Sequence, residues 1–150
     1  MRVSRICSRH VISARPATTL SEAAALMRRH QVGALVVVED TAAGTVPAGI
    51  VTDRDFVVSV IAADVDPRTI TVADVMTRSV VTCRDDHDLF EAIEIMRRRG
   101  VRRLPVTDKN GGLVGILTAD DIIGAMAEYV GALAGAFLNE EIRESRRLGT

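Results

Sequence analysis

The chain contains an internal duplication, and this feature restricts its possible folds more than any other. Residues 3–37 align with residues 72–106, with apolar residues at matching places and a Met-Arg-Arg triplet in both copies. Farther along, the offset between the copies shortens by three residues, and 49–55 then aligns with 115–121. A surface turn tolerates such an insertion and a core strand does not, so residues 40–46 are predicted to form a hairpin loop.

Each copy has the same predicted order of elements, β-α-β-β-α. Apolar residues at three- and four-residue spacing predict helices over residues 20–29 and 89–99, and a capping box precedes each helix. Valine-rich runs predict buried strands that pair with a following strand across a turn. The predicted strands are residues 11–13, 34–38 and 48–51 in the first copy and residues 80–82, 104–106 and 113–117 in the second. A further helix is predicted to begin near Asp53 and near Ala119.

A half of this size cannot bury both faces of a three-stranded sheet by itself. The two halves are therefore predicted to pack sheet to sheet around one shared core, as an α+β fold with pseudo-twofold symmetry and two related clefts. The predicted boundaries are residues 3–63 for the first repeat, 64–71 for a linker, 72–128 for the second repeat and 129–150 for a C-terminal helical extension.

The motif Gly-h-h-Thr-x-x-Asp, in which h is an apolar residue, stands at a predicted strand-to-helix junction in each copy. It spans residues 49–55 and 115–121. A helix that begins there offers unpaired N–H groups to a phosphate, and the threonine hydroxyl can donate to a phosphate oxygen. The aspartate one turn later can accept hydrogen bonds from the two vicinal hydroxyls of a ribose. The same spacing also forms a capping box, so helix capping alone is the alternative interpretation for one of the two motifs.

Together with the runs Val32–Val37 and Val101–Val106, these motifs resemble those of the CBS-domain family, whose domains usually occur as tandem pairs. The resemblance covers residues 3 to about 128. It implies a CBS-domain pair without catalytic activity that regulates by sensing an adenosine derivative. The ligands that it implies are AMP, ADP, ATP and S-adenosylmethionine-like compounds, and no cofactor is required.

In this family, the threonine and aspartate of one repeat face the first strand of the other. The resemblance therefore implies one cleft formed by Thr52, Asp55, Val80, Val81 and Thr82, and another formed by Thr118, Asp121, Val11, Ile12 and Ser13. Arg103 matches the position before the second strand where related modules often carry a basic side chain for phosphate. The first repeat has Gly33 and Ala34 where the second has Arg102 and Arg103. The clefts are therefore predicted to differ, and the one near Arg103 is predicted to prefer phosphorylated ligands.

The composition and the missing motifs argue against several other functions. The formal net charge is −1, from 19 basic and 20 acidic side chains, whereas a dedicated nucleic-acid binder usually has a basic excess. The cluster Arg97–Arg99 is interpreted as a solvated helix end. No Ser-His-Asp set, pair of catalytic carboxylates or phosphate-binding loop is found, so the chain is not predicted to be an enzyme. Cys7 and Cys83 lack zinc-ligand spacing, and the histidines are interpreted as isolated surface residues, so no metal site is predicted.

Helix character is predicted to continue from Asp120 to about Arg147, with an apolar stripe that ends near Phe137. This apolar run is predicted to be too short to cross a membrane, and no signal peptide is recognised, so a soluble cytoplasmic protein is expected. The helix either folds back on its own repeats or pairs with another chain. Because related modules commonly form disc-like dimers through their helices, a homodimer is predicted, with an effector protein as a further partner.

Two other functions stay open at this point. The chain could be a structural or assembly protein in which the clefts are vestigial and the C-terminal helix does the work. It could also bind nucleic acid through its arginine cluster. That cluster, however, lacks the interleaved aromatic side chains on which single-stranded bases would stack.

Overall fold

The computed structural model describes residues 1–149 and contains two three-stranded sheets with helices packed on them. The first sheet consists of β1 (Ser13–Ala14), β2 (Ala34–Thr41) and β3 (Gly44–Thr52), and the second of β4 (Cys83–Arg84), β5 (Arg103–Thr107) and β6 (Leu113–Thr118). The helices are α1 (Leu20–His30), α2 (Asp53–Phe56), α3 (Val72–Val75), α4 (Leu89–Arg99) and α5 (Ala119–Leu148). The predicted α+β fold, with β-α-β-β-α order in each repeat and a C-terminal helix, is confirmed.

Both sheets are built in the same way, which is the structural counterpart of the sequence duplication. In each sheet the short first strand runs parallel to the second, and the second and third strands form an antiparallel hairpin. Local capping fixes where the main helices begin. The Glu22 N–H donates to the Thr19 hydroxyl at 3.2 Å at the start of α1, and the Asp88 N–H donates to the Glu91 carboxylate at 2.7 Å at the start of α4.

The segment 40–46 is not the loop that the sequence predicted. β2 and β3 pair as far as Thr41 and Gly44, so the turn contains only Ala42 and Ala43. Gly44 has a φ of +107°, which glycine adopts without steric cost. The extra residues of the first repeat therefore lengthen its hairpin. Because the end of this hairpin is exposed, the longer strands extend into solvent.

The first strand of each repeat begins later than the sequence predicted. Ser13 belongs to β1, but Val11 and Ile12 precede that strand. Likewise β4 begins at Cys83, so the whole predicted strand Val80–Thr82 lies in the segment that leads into it. These segments carry the chain from one repeat towards the other. They therefore become part of a sheet only where β2 and β5 run beside them.

The N-terminal segment of each repeat packs on the opposite repeat. Val3 lies in the core of the second repeat, and Val72 lies in the core of the first. The backbone hydrogen bonds that these two segments form with the opposite repeat are related by the pseudo-twofold symmetry. Ser8 and Ile116 bond through both of their N–H groups at 2.9 Å, and the matching bonds between Thr77 and Ile50 measure 3.0 and 3.2 Å. The prediction of one shared core is wrong, because each sheet and its helices enclose a core of their own that the exchanged residue completes.

The C-terminal helix differs from the expectation in its apolar length. In α5, Ile122 is the one residue that is buried. By length and composition this helix is apolar enough to cross a membrane, so the prediction that its apolar run is too short is wrong. The large apolar residues alone do not determine how far the apolar part of this helix extends. The alanines and glycines between them are also uncharged, and Glu128 is the one charged residue from Ile122 to Asn139.

Candidate functional site

A cleft of about 270 Å³ lies between the two repeats, on the side of the second Gly-h-h-Thr-x-x-Asp motif. We call it the Asp121 cleft. Five of the predicted ligand-binding residues line it together: Val11, Ile12, Arg103, Thr118 and Asp121. Ser13, which was predicted with them, lies in β1 and is not among the lining residues. The walls come from both repeats because the segment before β1 crosses to β6, where Ser8 and Ile116 are bonded.

The threonine and the aspartate of this cleft bond to each other. The Thr118 hydroxyl donates to Asp121 Oδ2 at 2.7 Å, and the Thr118 N–H donates to the same oxygen at 2.8 Å. The Asp121 N–H in turn donates to the Thr118 hydroxyl at 3.1 Å. The single hydroxyl proton of Thr118 is thus already used, so the expected donation to a phosphate would require this bond to break. In the structure, Thr118 positions Asp121.

Asp121 keeps one carboxylate oxygen for another partner. Within the described residues 1–149, Oδ1 accepts no hydrogen bond, whereas Oδ2 accepts two from Thr118. An ionised carboxylate accepts hydrogen bonds and donates none. Asp121 therefore presents an acceptor to the cleft, which suits a hydroxyl-bearing ligand such as a ribose.

Arg103 supplies the positive charge of the Asp121 cleft. It is the first residue of β5 and pairs with Thr118 of β6 in the sheet, so its side chain starts beside the threonine–aspartate pair. Its guanidinium forms no hydrogen bond or ion pair with any other residue that the structure describes. A free guanidinium offers several N–H donors in a planar arrangement that matches phosphate and carboxylate oxygens. This cleft can therefore accept an anionic group beside a hydroxyl group.

The segment before β1 forms the apolar wall of the cleft and also offers backbone groups. The Ile12 carbonyl accepts the Val36 N–H at 3.2 Å. The N–H and carbonyl of Val11 form no hydrogen bond within the described part of the chain. Backbone polar groups are strong donors and acceptors that are normally paired. Val11 can thus pair with the edge of a heterocycle placed against this wall.

The related cleft of the first repeat, which we call the Asp55 cleft, is assembled differently. Thr52 and Asp55 bond as their counterparts do, with the Thr52 N–H and hydroxyl at 2.7 and 3.2 Å from Asp55 Oδ2. Its predicted wall is less available, because the Val80 N–H donates to the Arg78 carbonyl at 2.9 Å. Val81 and Thr82 line a cavity that also contains Ile95, Arg98 and Arg99, and neither Thr52 nor Asp55 belongs to it.

Sequence reasoning missed one ring at the mouth of the Asp121 cleft. His10 lines the cleft, and its ring lies 6.3 Å from that of His30 at the end of α1. Both histidines are exposed, as expected, but they are neighbours rather than isolated. His10 directly precedes the predicted wall residues Val11 and Ile12, and this adjacency was the available signal.

The cysteines and the arginine cluster take no part in the cleft. Burial raises the pKa of the Cys83 thiol to about 12, and burial also raises the pKa of Cys7, so neither is a thiolate at neutral pH. Arg97 and Arg98 are exposed and pair with Glu94 at 2.7 and 2.6 Å. In residues 1–149, no group of three or more His, Cys, Asp or Glu side chains is arranged to hold a metal ion.

Comparison with known proteins agrees with this architecture. The family model described as "CBS domain" matches residues 3–61 and again residues 72–128. An uncharacterised protein of Methanopyrus kandleri, MK0525, is 37% identical over 121 residues, which are 81% of this chain and 60% of that protein. The chain thus spans less than two thirds of this relative.

Two similar solved structures contain adenosine compounds. The CBS-domain pair of protein MJ0100, in complex with 5-methylthioadenosine and S-adenosyl-L-methionine, has a TM-score of 0.74 and 26% identity, with coverage of 86% of this chain and 98% of that one. The CBS domain protein PAE2072 of Pyrobaculum aerophilum, complexed with AMP, has a TM-score of 0.71 and 29% identity, with coverage of 81% and 89%. With two matched repeats that pack as a pair, the chain belongs to the CBS-domain family.

Proposed function

We propose that the chain is a non-catalytic regulatory module that binds an adenosine-type ligand in the Asp121 cleft. One observation carries the proposal. In this cleft an unpaired carboxylate oxygen of Asp121, an unpaired guanidinium of Arg103 and the unbonded backbone groups of Val11 converge. The AMP and the S-adenosyl compounds held by similar CBS-domain structures support this ligand class.

Each part of such a ligand has a counterpart in the cleft. The adenine would lie against Val11 and Ile12 and pair with the free backbone groups of Val11. The ribose hydroxyls would donate to Asp121, which Thr118 holds in place. A phosphate would lie beside Arg103, since charge-assisted hydrogen bonds to guanidinium are among the stronger ones in proteins. We therefore propose a phosphorylated ligand, with AMP as the first candidate.

We propose the Asp55 cleft as the weaker of two sites. Thr52 and Asp55 offer the same acceptor, but Ala34 stands where the other cleft has Arg103. The bond from Val80 to Arg78 also removes one backbone donor from the predicted wall of Val80, Val81 and Thr82. A ligand without phosphate groups, such as an S-adenosyl compound, suits this side better than a nucleotide does.

Calorimetric titration of the full chain with AMP, ATP and S-adenosylmethionine tests the proposal. Asp121→Asn keeps the shape of the side chain but removes its charge, and we expect it to lower AMP affinity about tenfold or more. Asp55→Asn is the matched control, with an expected change in AMP affinity of less than about threefold. Absence of heat with all three compounds would contradict the proposal and favour an assembly protein with vestigial clefts.

Arg103→Ala separates recognition of phosphate from recognition of adenosine. We expect it to weaken AMP about tenfold or more because a charge-assisted contact is lost. The affinity for uncharged adenosine should stay unchanged. Equal losses for both ligands would show that the variant damages the cleft as a whole and that Arg103 does not select phosphate.

We further propose that the chain acts as a cytoplasmic homodimer whose ligand state is sensed by an effector protein. Support for the dimer comes from the exposed apolar side chains of α5, which a soluble monomer rarely leaves uncovered as a contiguous surface.

A further inference from the structure

An apolar groove of about 570 Å³ lies where the beginning of α5 passes the end of α4. Ile93 and Met96 of α4 and Ile122 and Met126 of α5 are among its walls, and Arg97 and Arg102 are among its remaining lining residues. We call this the α4/α5 groove. It is separate from the Asp121 cleft, because the two share no lining residue.

An apolar stripe continues from this groove along α5. Its members, Ile123, Met126, Val130, Leu133 and Phe137, follow one another at alternating spacings of four and three residues. This spacing is typical of the seam between two helices of a coiled coil. All five side chains are exposed, and Phe137 is 68% exposed. The seam therefore lacks its second helix within the described chain.

The two ends of this surface carry different charged groups. Glu140, Glu141 and Glu144 continue the three- and four-residue steps beyond Phe137, so they lie on the same helix face as the stripe. The structure pairs none of these three carboxylates with a cation among residues 1–149. The stripe thus ends in an acidic patch.

The groove end carries arginines by contrast. Arg97 and Arg102 line it, and they pair with the carboxylates of Glu94 and Asp120. The contact between Arg102 and Asp120 is long, at 3.9 Å. The Arg102 guanidinium therefore remains available to a further carboxylate at the end of the stripe opposite to the acidic patch.

We propose that the α5 helices of two copies of this chain pair in antiparallel orientation across the stripe. In the register that fits the alternating spacing, Phe137 of one copy packs against Met126 in the groove of the other, and Val130 packs against Leu133. The acidic patch of each copy then reaches the arginines of the other. One chain carries both complementary ends, which is the condition for a twofold isologous contact.

A parallel pair does not satisfy the same charges. It would place Glu140, Glu141 and Glu144 of the two copies beside each other and give the arginines at the groove no partner on the other copy. Like charges set against each other oppose association. The charge pattern therefore selects the antiparallel arrangement. This inference specifies the homodimer proposed above and does not depend on the ligand of the Asp121 cleft.

A lipid bilayer matches the helix less well than a second copy does. Glu128 lies within the apolar run, where a charge is costly in lipid. The following segment, residues 140–147, contains three acidic and three basic residues and so lacks the basic excess typical of a cytoplasmic flank.

Phe137→Glu tests the contact, with Phe90→Glu as a matched control. Phe90 is 71% exposed on α4 and does not line the groove. In sedimentation velocity of the full chain, we expect Phe137→Glu to raise the dimer dissociation constant at least about thirtyfold, as loss of an aromatic anchor buried in a partner's groove does. Phe90→Glu should leave it unchanged. A monomeric parent chain, or equal effects of the two variants, would overturn the proposal.

Disulfide cross-linking tests the orientation in a Cys7→Ser, Cys83→Ala background. In the antiparallel register Ile123 lies beside Glu140 of the second copy, while the two Ile123 residues are about 25 Å apart along the helices. We expect a mixture of Ile123→Cys and Glu140→Cys chains to cross-link and Ile123→Cys alone not to do so. Cross-linking of Ile123→Cys with itself would overturn the antiparallel pair. So would insertion of the monomeric chain into phosphatidylcholine–phosphatidylglycerol vesicles.

Discussion

The two repeats begin the helix after the Gly-h-h-Thr-x-x-Asp motif in the same way and continue it differently. In the first repeat α2 ends at Phe56, and a π-helical turn over Val57–Ile61 follows it. In the second repeat α5 continues as a regular helix of 30 residues. Val60 is consequently 6% exposed, whereas Met126, at the matching position of the second repeat, is 40% exposed. One repeat closes over its own core, and the other leaves the α4/α5 groove open.

The side chains of the two helices account for this difference. The π-helical turn is dominated by Val57, Val58, Val60 and Ile61, and β-branched residues lose rotamer freedom in a helix. The corresponding part of α5 and its continuation are rich in alanine and also contain Met126 and Leu133, and these residue types favour helix. One duplicated motif can thus lead into a closed core or into an exposed apolar surface, depending on the residues that follow it.

The largest expected effect is the difference in unfolding free energy between substitutions at Val60 and at Met126. Val60→Asp places a carboxylate in the core of the first repeat and should lower the free energy of unfolding by about 3 kcal/mol. Met126→Asp alters an exposed side chain and should change it by less than about 0.5 kcal/mol. Urea denaturation of both variants in a Phe137→Glu background measures this difference without a contribution from dimer dissociation. Similar losses would mean that the two helices are packed alike.

A smaller effect concerns the first strands, where Cys83 of the second repeat matches Ala14 of the first. The pKa of Cys83 is raised from 9.0 to about 12 by burial, so the folded chain keeps the thiol proton that the unfolded chain releases above pH 9. Stability is thus retained below pH 9 and falls as pH rises towards 12, by about 1.4 kcal/mol per pH unit at most from this group. Cys83→Ala should remove this part of the alkaline loss in denaturation series at pH 8 and pH 10. An identical slope in both proteins would contradict the raised pKa.

The smallest expected effect compares Val58 with Gly124, which occupy matching positions. A Cβ atom at Gly124 would meet no atom within 4 Å. Gly124→Ala should therefore stabilise the chain by about 0.5–1 kcal/mol through helix propensity alone. Val58→Ala, in the π-helical turn, should stabilise by at most about half as much. Thermal unfolding of both variants measures which substitution stabilises the chain more. A destabilised Gly124→Ala variant would show that α5 is packed closely at this glycine.

Local sequence patterns were sufficient to predict the parts of the fold that depend on neighbouring residues. Thr19 with Glu22, and Asp88 with Glu91, marked the beginnings of α1 and α4 correctly because a cap and its helix are local. The hairpin at 40–46 was misjudged because an insertion lengthens two paired strands as readily as it lengthens a loop. The exchange of Val3 and Val72 between cores depends on contacts between distant residues, which no local pattern records.

The candidate site was predictable in its residue types and less so in its arrangement. The repeated motif indicated Thr118 and Asp121, and the mismatch with Gly33 and Ala34 indicated that Arg103 distinguishes the clefts. Which oxygen of Asp121 stays free depends on a hydroxyl orientation that the spacing does not fix. The bond between Val80 and Arg78, which makes the two walls unequal, also becomes visible only in the structure.

The exchanged segment connects the two repeats through the wall of the Asp121 cleft. Residues 3–14 run without interruption from the core of the second repeat, where Val3 lies, along the wall of the Asp121 cleft and into the sheet of the first repeat. This segment is therefore anchored at one end in the second repeat and at the other end in the first. A ligand that displaced Val11 would therefore act on both anchoring points at once, and both repeats would respond together to occupancy of this cleft.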